Sequence, residues 1–181
     1  PRQTMRPIRL LLPLLLLALT ATHARAQAAP PNFRDEFLRQ FNNSMIKFIE
    51  LAEAMPEDRY AWSPAEGVMP VARVYAHVAH YNYYYPASAM GVAAPGGLDA
   101  DSVENRARKA EVLDLLRSSH AHVRQVVRGM GDEQLAATTK LYGRDVPQWS
   151  VLLQLLAHMN EHLGQSIAYA RMNGVVPPWS Q

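Results

Sequence analysis

The stretch His158-Met159-Asn160-Glu161-His162-Leu163-Gly164-Gln165 places two histidines four residues apart inside an apolar run. If that run is helical, both imidazoles leave one face, one turn apart, and can grip a single metal ion. Two readings fit such a pair. In one the histidines are core residues with hydrogen-bonded ring nitrogens; in the other they are ligands. Around them Leu152, Leu155, Met159, Ser166 and Tyr169 recur at helical spacing, so the stripe carrying both histidines faces inward. The helix runs from about Gln148 to Asn173, with Gly174 just past its end.

Three more amphipathic helices precede it. Phe33, Phe37, Phe41, Met45, Phe48, Ile49 and Ala52 form one stripe, with Asn32 as the expected N-cap and Pro56 as the stop. Pro70 opens a second helix, expected to reach Tyr85 and to end at Pro86. Its inward face holds Val74, His77, Val78 and Tyr81. Ala87 to Asp101 has no period and is rich in glycine and alanine, which predicts a long loop. Asp101 or Ser102 then caps a third helix carrying Val112, Leu115, Leu116, Ser119, Val123, Val126, Val127 and Met130 inward, and Gly131 ends it. Between Asp132 and Pro147 the reading is a helical turn near Glu133 to Ala137 and a loop through Gly143. No alternation suggests a strand and no internal repeat occurs. The expected fold is all-α, a four-helix bundle whose long inter-helix connections point away from a simple up-and-down order. The tail from Val175, with Trp179, is expected to fold back on it.

Composition narrows the function. The chain has 181 residues, 49% of them hydrophobic, and no cysteine, which excludes disulfides, thiolate nucleophiles and zinc-thiolate sites. Residues 1–26 carry Arg6 and Arg9, a leucine-rich run from Leu10 to Leu19 and Ala24-Arg25-Ala26. This is the pattern of a cleaved signal peptide, with Gln27 opening the mature domain of residues 27–181 and Ala26-Gln27-Ala28 as a second cleavage site. The apolar run is shorter than the ~20 residues a spanning helix needs, so no stable membrane anchor is expected after cleavage. The expected location is the periplasm or the cell exterior. Residues 1–26 hold four basic and no acidic residues, leaving 14 basic against 16 acidic in the remainder. No basic patch remains for nucleic acid. The expected partners are a small-molecule substrate and, in a homodimer, a second copy.

His77 strengthens the ligand reading. With Val74 and Tyr81 one turn to either side, it faces the same interior, and three imidazoles from two helices leave one or two positions open on an ion. His80 reads as a fourth ligand, a hydrogen-bonding neighbour or an edge residue, the last two favoured, and His120 and His122 as surface or core residues. His158 to His162 also matches H-x-x-E-H, but inverted zinc peptidases need a carboxylate ligand well downstream and only nineteen residues follow. Glu161 reads as an exposed helix carboxylate or, in the functional reading, as the candidate general base. Tyr81, Tyr84, Tyr85, Trp62 and Trp149 read as ordinary core aromatics or as candidates to line the pocket. Gly164 is expected to allow a close helix approach, and Gln165 to hydrogen-bond a neighbouring helix or a ligand.

At His77-Val78-Ala79 with the aromatics through Tyr85, at the H-x-x-x-H-x-G-Q pattern of His158, His162, Gly164 and Gln165, and at Tyr169 to Gly174 with Pro177-Pro178-Trp179, the sequence resembles the DinB / YfiT-like superfamily of four-helix bundles. The resemblance implies a divalent metal, zinc or nickel among those reported, held by a triad that maps to His77, His158 and His162. It also implies chemistry of the kind seen in thiol S-transferases using bacillithiol or mycothiol, and in a mycothiol-dependent maleylpyruvate isomerase. An exported chain departs from those enzymes, because free thiol cofactors abound in the reducing cytosol. The expected activity is therefore activation of water or a thiol toward a small electrophile. The alternative is a metal-binding, stress-associated bundle with a structural ion.

Overall fold

A computed structural model describes residues 28–98 and 100–181; the proposed signal segment and its cleavage site at Ala26 lie outside the described residues. Four long helices dominate: α1 (Phe33–Ala54), α2 (Val71–Met90), α4 (Lys109–Gly129) and α6 (Gln148–Met172). Two short helices, α3 (Ala100–Val103) and α5 (Asp132–Ala136), and a hairpin of β1 (Thr138–Leu141) and β2 (Arg144–Pro147) fill the connections. No described helix is long and apolar enough to cross a membrane.

The first stripe folds as its spacing predicts. Phe37, Phe41, Met45, Phe48, Leu51 and Ala52 are buried along α1, and the rings of Phe37 and Phe41 stack at 5.5 Å. Asp35 and Glu36 in its first turn favour the positive end of the helix dipole. Asn32 does occupy the N-cap position, but with φ 60° and no side-chain capping bond. Its contribution is its carbonyl, which accepts the Glu36 N–H at 3.1 Å.

Pro86 does not end α2. It lies inside the helix, which continues to Met90. An internal proline forfeits one backbone bond and crowds the preceding turn, at about 3 kcal/mol. Against that cost, Tyr83, Tyr85, Pro86 and Ala89 are all buried. The helix then stops where glycine permits it: Gly91 takes φ 69° and its N–H reaches the Pro86 carbonyl. The expected loop from Ala87 is thus one further turn of α2, a shorter connection and α3. The expected third helix is likewise broken, with α3 ending at Val103 and α4 opening at Lys109.

The hairpin is the second departure from the sequence reading. Thr139 pairs with Val146 and Lys140 with Asp145, around Tyr142 at φ 50° and Gly143 at φ 77°. Two successive positive φ values make the turn whose twist matches paired strands, and glycine at the second position makes it accessible. Strands of four residues are too short to show a period, so the two-residue turn was the usable signal. Thr139 Oγ1 donates to the Ala89 carbonyl at 2.8 Å, docking the hairpin on the end of α2.

In the bundle, α1 packs against α4 and α6, and α2 packs against the same two. Consecutive helices α1 and α2 therefore stand at opposite corners, the non-sequential order that the long connections suggested. Phe48 and Tyr75 meet edge to face across the centre at 5.3 Å. Asn82, fully buried, donates to Ser119 Oγ at 3.1 Å. The tail folds back through a 3-10 turn at Pro178–Ser180, and the Lys47 ammonium lies 5.6 Å from the Trp179 ring centroid. For the site, the decisive contact is α2 beside α6.

Candidate metal centre

That contact brings together the three inward histidines. His77 stands on α2, and His158 and His162 stand one turn apart on α6. Their rings lie 5.1 Å (His77–His158), 4.8 Å (His77–His162) and 4.6 Å (His158–His162) apart. One nitrogen from each falls within 4.8 Å of the others. Nε2 of His77 and Nε2 of His158 are 3.2 Å apart. Two ligands at 2.0–2.1 Å from a tetrahedral zinc ion stand roughly 3.3 Å apart, so this spacing suits two ligands of one ion.

Hydrogen bonds behind the rings decide which nitrogen each presents. The Met69 carbonyl only accepts, so the Tyr169 hydroxyl donates to it, at 3.2 Å. The hydroxyl oxygen then accepts from Gln165 Nε2 at 2.9 Å. That turns Gln165 Oε1 toward His162 Nδ1, 2.8 Å away. An amide oxygen only accepts, so His162 carries its proton on Nδ1 and leaves the Nε2 lone pair free. Gln165 thus bonds within the site's own helix. For His77, Nδ1 lies 2.7 Å from Glu104 Oε1, and a carboxylate likewise only accepts. Its Nε2 therefore bears a lone pair, directed at His158 Nε2. Nδ1 of His158 is buried without a hydrogen-bonding partner among the described residues.

The surroundings of His77 and His158 favour the neutral imidazole, the form that binds metal. Burial lowers the pKa of His77, against the opposing pull of Glu104. Burial, then the neighbouring His162 and His77, push His158 down to about 4. On α4, burial and Arg124 push His120 down to about 4. Unfolded imidazoles titrate near 6.5, so between about 6.5 and 4 the unfolded chain binds more protons than the folded one. Without an ion, stability is therefore complete above about pH 6.5 and falls as the pH drops toward 4. Urea melts of the chelated protein should show a lower midpoint at pH 5 than at pH 7; an equal or higher midpoint would contradict the burial of these rings.

Of the other residues read from the sequence, Tyr81 and Tyr85 do border the cluster, with ring centroids 4.3 and 6.4 Å from His158. Tyr84 packs on Tyr81 at 5.6 Å. Trp62 packs edge-on against Tyr169 at 5.4 Å and Trp149 against Phe33 at 5.8 Å. His80 stacks with Tyr84 and stands outside the three-histidine group. His122 is buried beside Tyr83, and His120 bonds Asn42 Oδ1 at 2.8 Å; both are remote in role from the cluster. Glu161 is exposed and outside the group. Gly164 is exposed, and a Cβ built there meets nothing within 4 Å, so no helix approaches it and the expected packing role does not hold. Glu104, absent from the sequence reading, follows α3 and has no motif around it. Only the fold brings it to His77.

Comparison with known proteins agrees with this architecture. A family model described as the DinB superfamily matches residues 40–170, well over half of the chain. Among solved structures, a DinB-like protein from Bacillus cereus ATCC 10987 is similar with a TM-score of 0.70 at 19% identity, over 80% of this chain and 95% of that one. A DinB-like protein from Bacillus subtilis is similar with a TM-score of 0.64 at 20% identity, over 78% of this chain and 94% of that one. At such identity the likeness speaks to the fold alone. A comparison with curated proteins returns no match.

Proposed function

The chain belongs to the DinB superfamily, and from that premise we propose that it is an exported metal-dependent enzyme acting on a small electrophile. His77, His158 and His162 hold the ion, and zinc or nickel suits three imidazoles. The observation that carries this reading is the 3.2 Å approach of two Nε2 atoms, with the hydrogen bond behind the His77 ring turning its Nε2 lone pair inward. When bound, a divalent ion supplies Lewis acidity that lowers the pKa of a water or thiol offered to it, undiminished by ligand charge when all three ligands are neutral.

The chain's residues supply the remainder. Three donors leave coordination positions open, and the cluster is half-buried rather than sealed. Tyr81 and Tyr85 flank it, and Tyr85 also lines a recess of about 320 Å³ with Tyr84, Ser88, Lys140, Leu141, Tyr142 and Gly143. That volume suits a small molecule. Glu161 keeps a place only as a solvent-side proton acceptor, being exposed. Export rests on Ala24-Arg25-Ala26 and the leucine run before it, and the acidic balance of residues 27–181 disfavours nucleic acid.

A structural ion is the competing reading. A continuous apolar core runs from Phe37 through Leu116 to Leu163 and Ala170, and a core of that extent favours an ion added to a fold that already stands. Metal analysis of the purified protein should give about one ion per chain; no stoichiometric metal overturns the proposal. Stripping the ion should leave the helical circular dichroism intact and lower Tm, since an ion present at 1,000 times its Kd adds about 4 kcal/mol. Unfolding on chelation would make the ion structural and remove the argument for catalysis.

A further inference from the structure

We propose that Glu104 is a positioning residue for the metal centre: its carboxylate holds His77 in the tautomer that turns Nε2 toward the ion. This rests on the three-histidine reading above. Arg73 and His77 lie one turn apart on α2, and the two oxygens of Glu104 divide between them. Oε1 is 2.7 Å from His77 Nδ1, and Oε2 is 3.5 Å from Arg73 Nη2. The carboxylate is thereby oriented from one side and spent on the imidazole from the other. The side chains of His77 and Glu104 are only 18% and 20% exposed, so water competes weakly for this bond.

The three rings are supported unequally. His162 has a neutral amide behind it and His158 Nδ1 has no partner among the described residues, whereas His77 has an anion. A carboxylate accepting from the far nitrogen fixes the ring's orientation and makes the near nitrogen a stronger donor. His77 is thus the anchoring ligand of the three. Because Glu104 follows α3, the connection between α2 and α4 also becomes part of the site.

The test uses the full chain as wild type, Glu104→Ala and Glu104→Gln, with zinc affinity measured by competition against a chromophoric chelator. Long-range 15N–1H spectra of the chelated protein report the His77 tautomer. Glu104→Ala should weaken zinc binding by about 10- to 100-fold and shift His77 away from the Nδ1-protonated form. Glu104→Gln, whose amide oxygen still accepts, should keep the tautomer and lose less affinity. It also decides the matter should the alanine variant fail to fold. Wild-type affinity and an unchanged tautomer in Glu104→Ala, with His77→Ala unable to bind zinc, overturn the role of Glu104 and leave the triad standing. A wild-type chain that binds no zinc overturns both.

Discussion

Replacing His162 by alanine is expected to remove stoichiometric metal from the protein while leaving it folded. Three nitrogens within 4.8 Å make a site; two from His77 and His158 leave half of a tetrahedral shell to be filled by solvent. Loss of a ligand should exceed the 10- to 100-fold cost of losing a group that merely supports one, so affinity should fall by more than about 100-fold, or about 2.8 kcal/mol. The substitution also leaves Gln165 Oε1 without the His162 N–H, while Gln165 Nε2 stays on the Tyr169 hydroxyl. The core survives, because the residues beneath, Met159 and Leu163, are buried independently of the imidazole. Metal content after dialysis is the readout, with circular dichroism as the folding control. His120→Ala is the comparison variant, since His120 bonds Asn42 instead. Unchanged metal content in His162→Ala would refute the triad.

Phe48→Ala is expected to be the costliest of these changes for stability, at about 3–5 kcal/mol. Phe48 is fully buried and its ring meets Tyr75 edge to face, joining α1 and α2 from opposite corners of the bundle. Removing it opens a cavity where the four helices converge, and Tyr75, itself fully buried, cannot leave to fill it without exposing its own ring. At roughly 2–4 °C per kcal/mol for a domain of this size, Tm should fall by about 6 to 20 °C. Urea melts give the free energy directly, and a loss below about 1 kcal/mol would contradict the packing. The variant that remains folded should bind zinc as the wild type does, since the ring of Phe48 packs on Tyr75 and supplies no donor to the site. The pair of variants therefore separates the metal centre from the core that carries it.

Helical spacing made much of this legible beforehand. Phe37, Phe41, Met45 and Phe48 had to share a face of α1, and His158 and His162 a face of α6, because a rotation of about 100° per residue leaves no other arrangement. Val74, His77 and Tyr81 declared the inward face of α2 in the same way. Where the reading failed, a local preference met a distant one. Pro86 is a local stop signal, but burial of Tyr85 and Ala89 and the hydrogen bond from Thr139 carried α2 past it. The four-residue strands had no room for a visible period. Gly164 offers room for a close helix approach, yet it is exposed and its face of α6 meets solvent.

The sequence by itself determined the four long helices, the inward faces of three histidines and the absence of any thiol ligand, since each follows from residue identity and a period of a few residues. Only the tertiary structure decided that α2 lies beside α6, bringing ring nitrogens to 3.2 Å, and that Glu104, 27 residues from His77, would stand behind it. The physical reason is the range of the forces involved. Helix geometry is set between neighbours in the chain, whereas the partner of a buried imidazole is whichever group packing delivers, and no local pattern records that delivery.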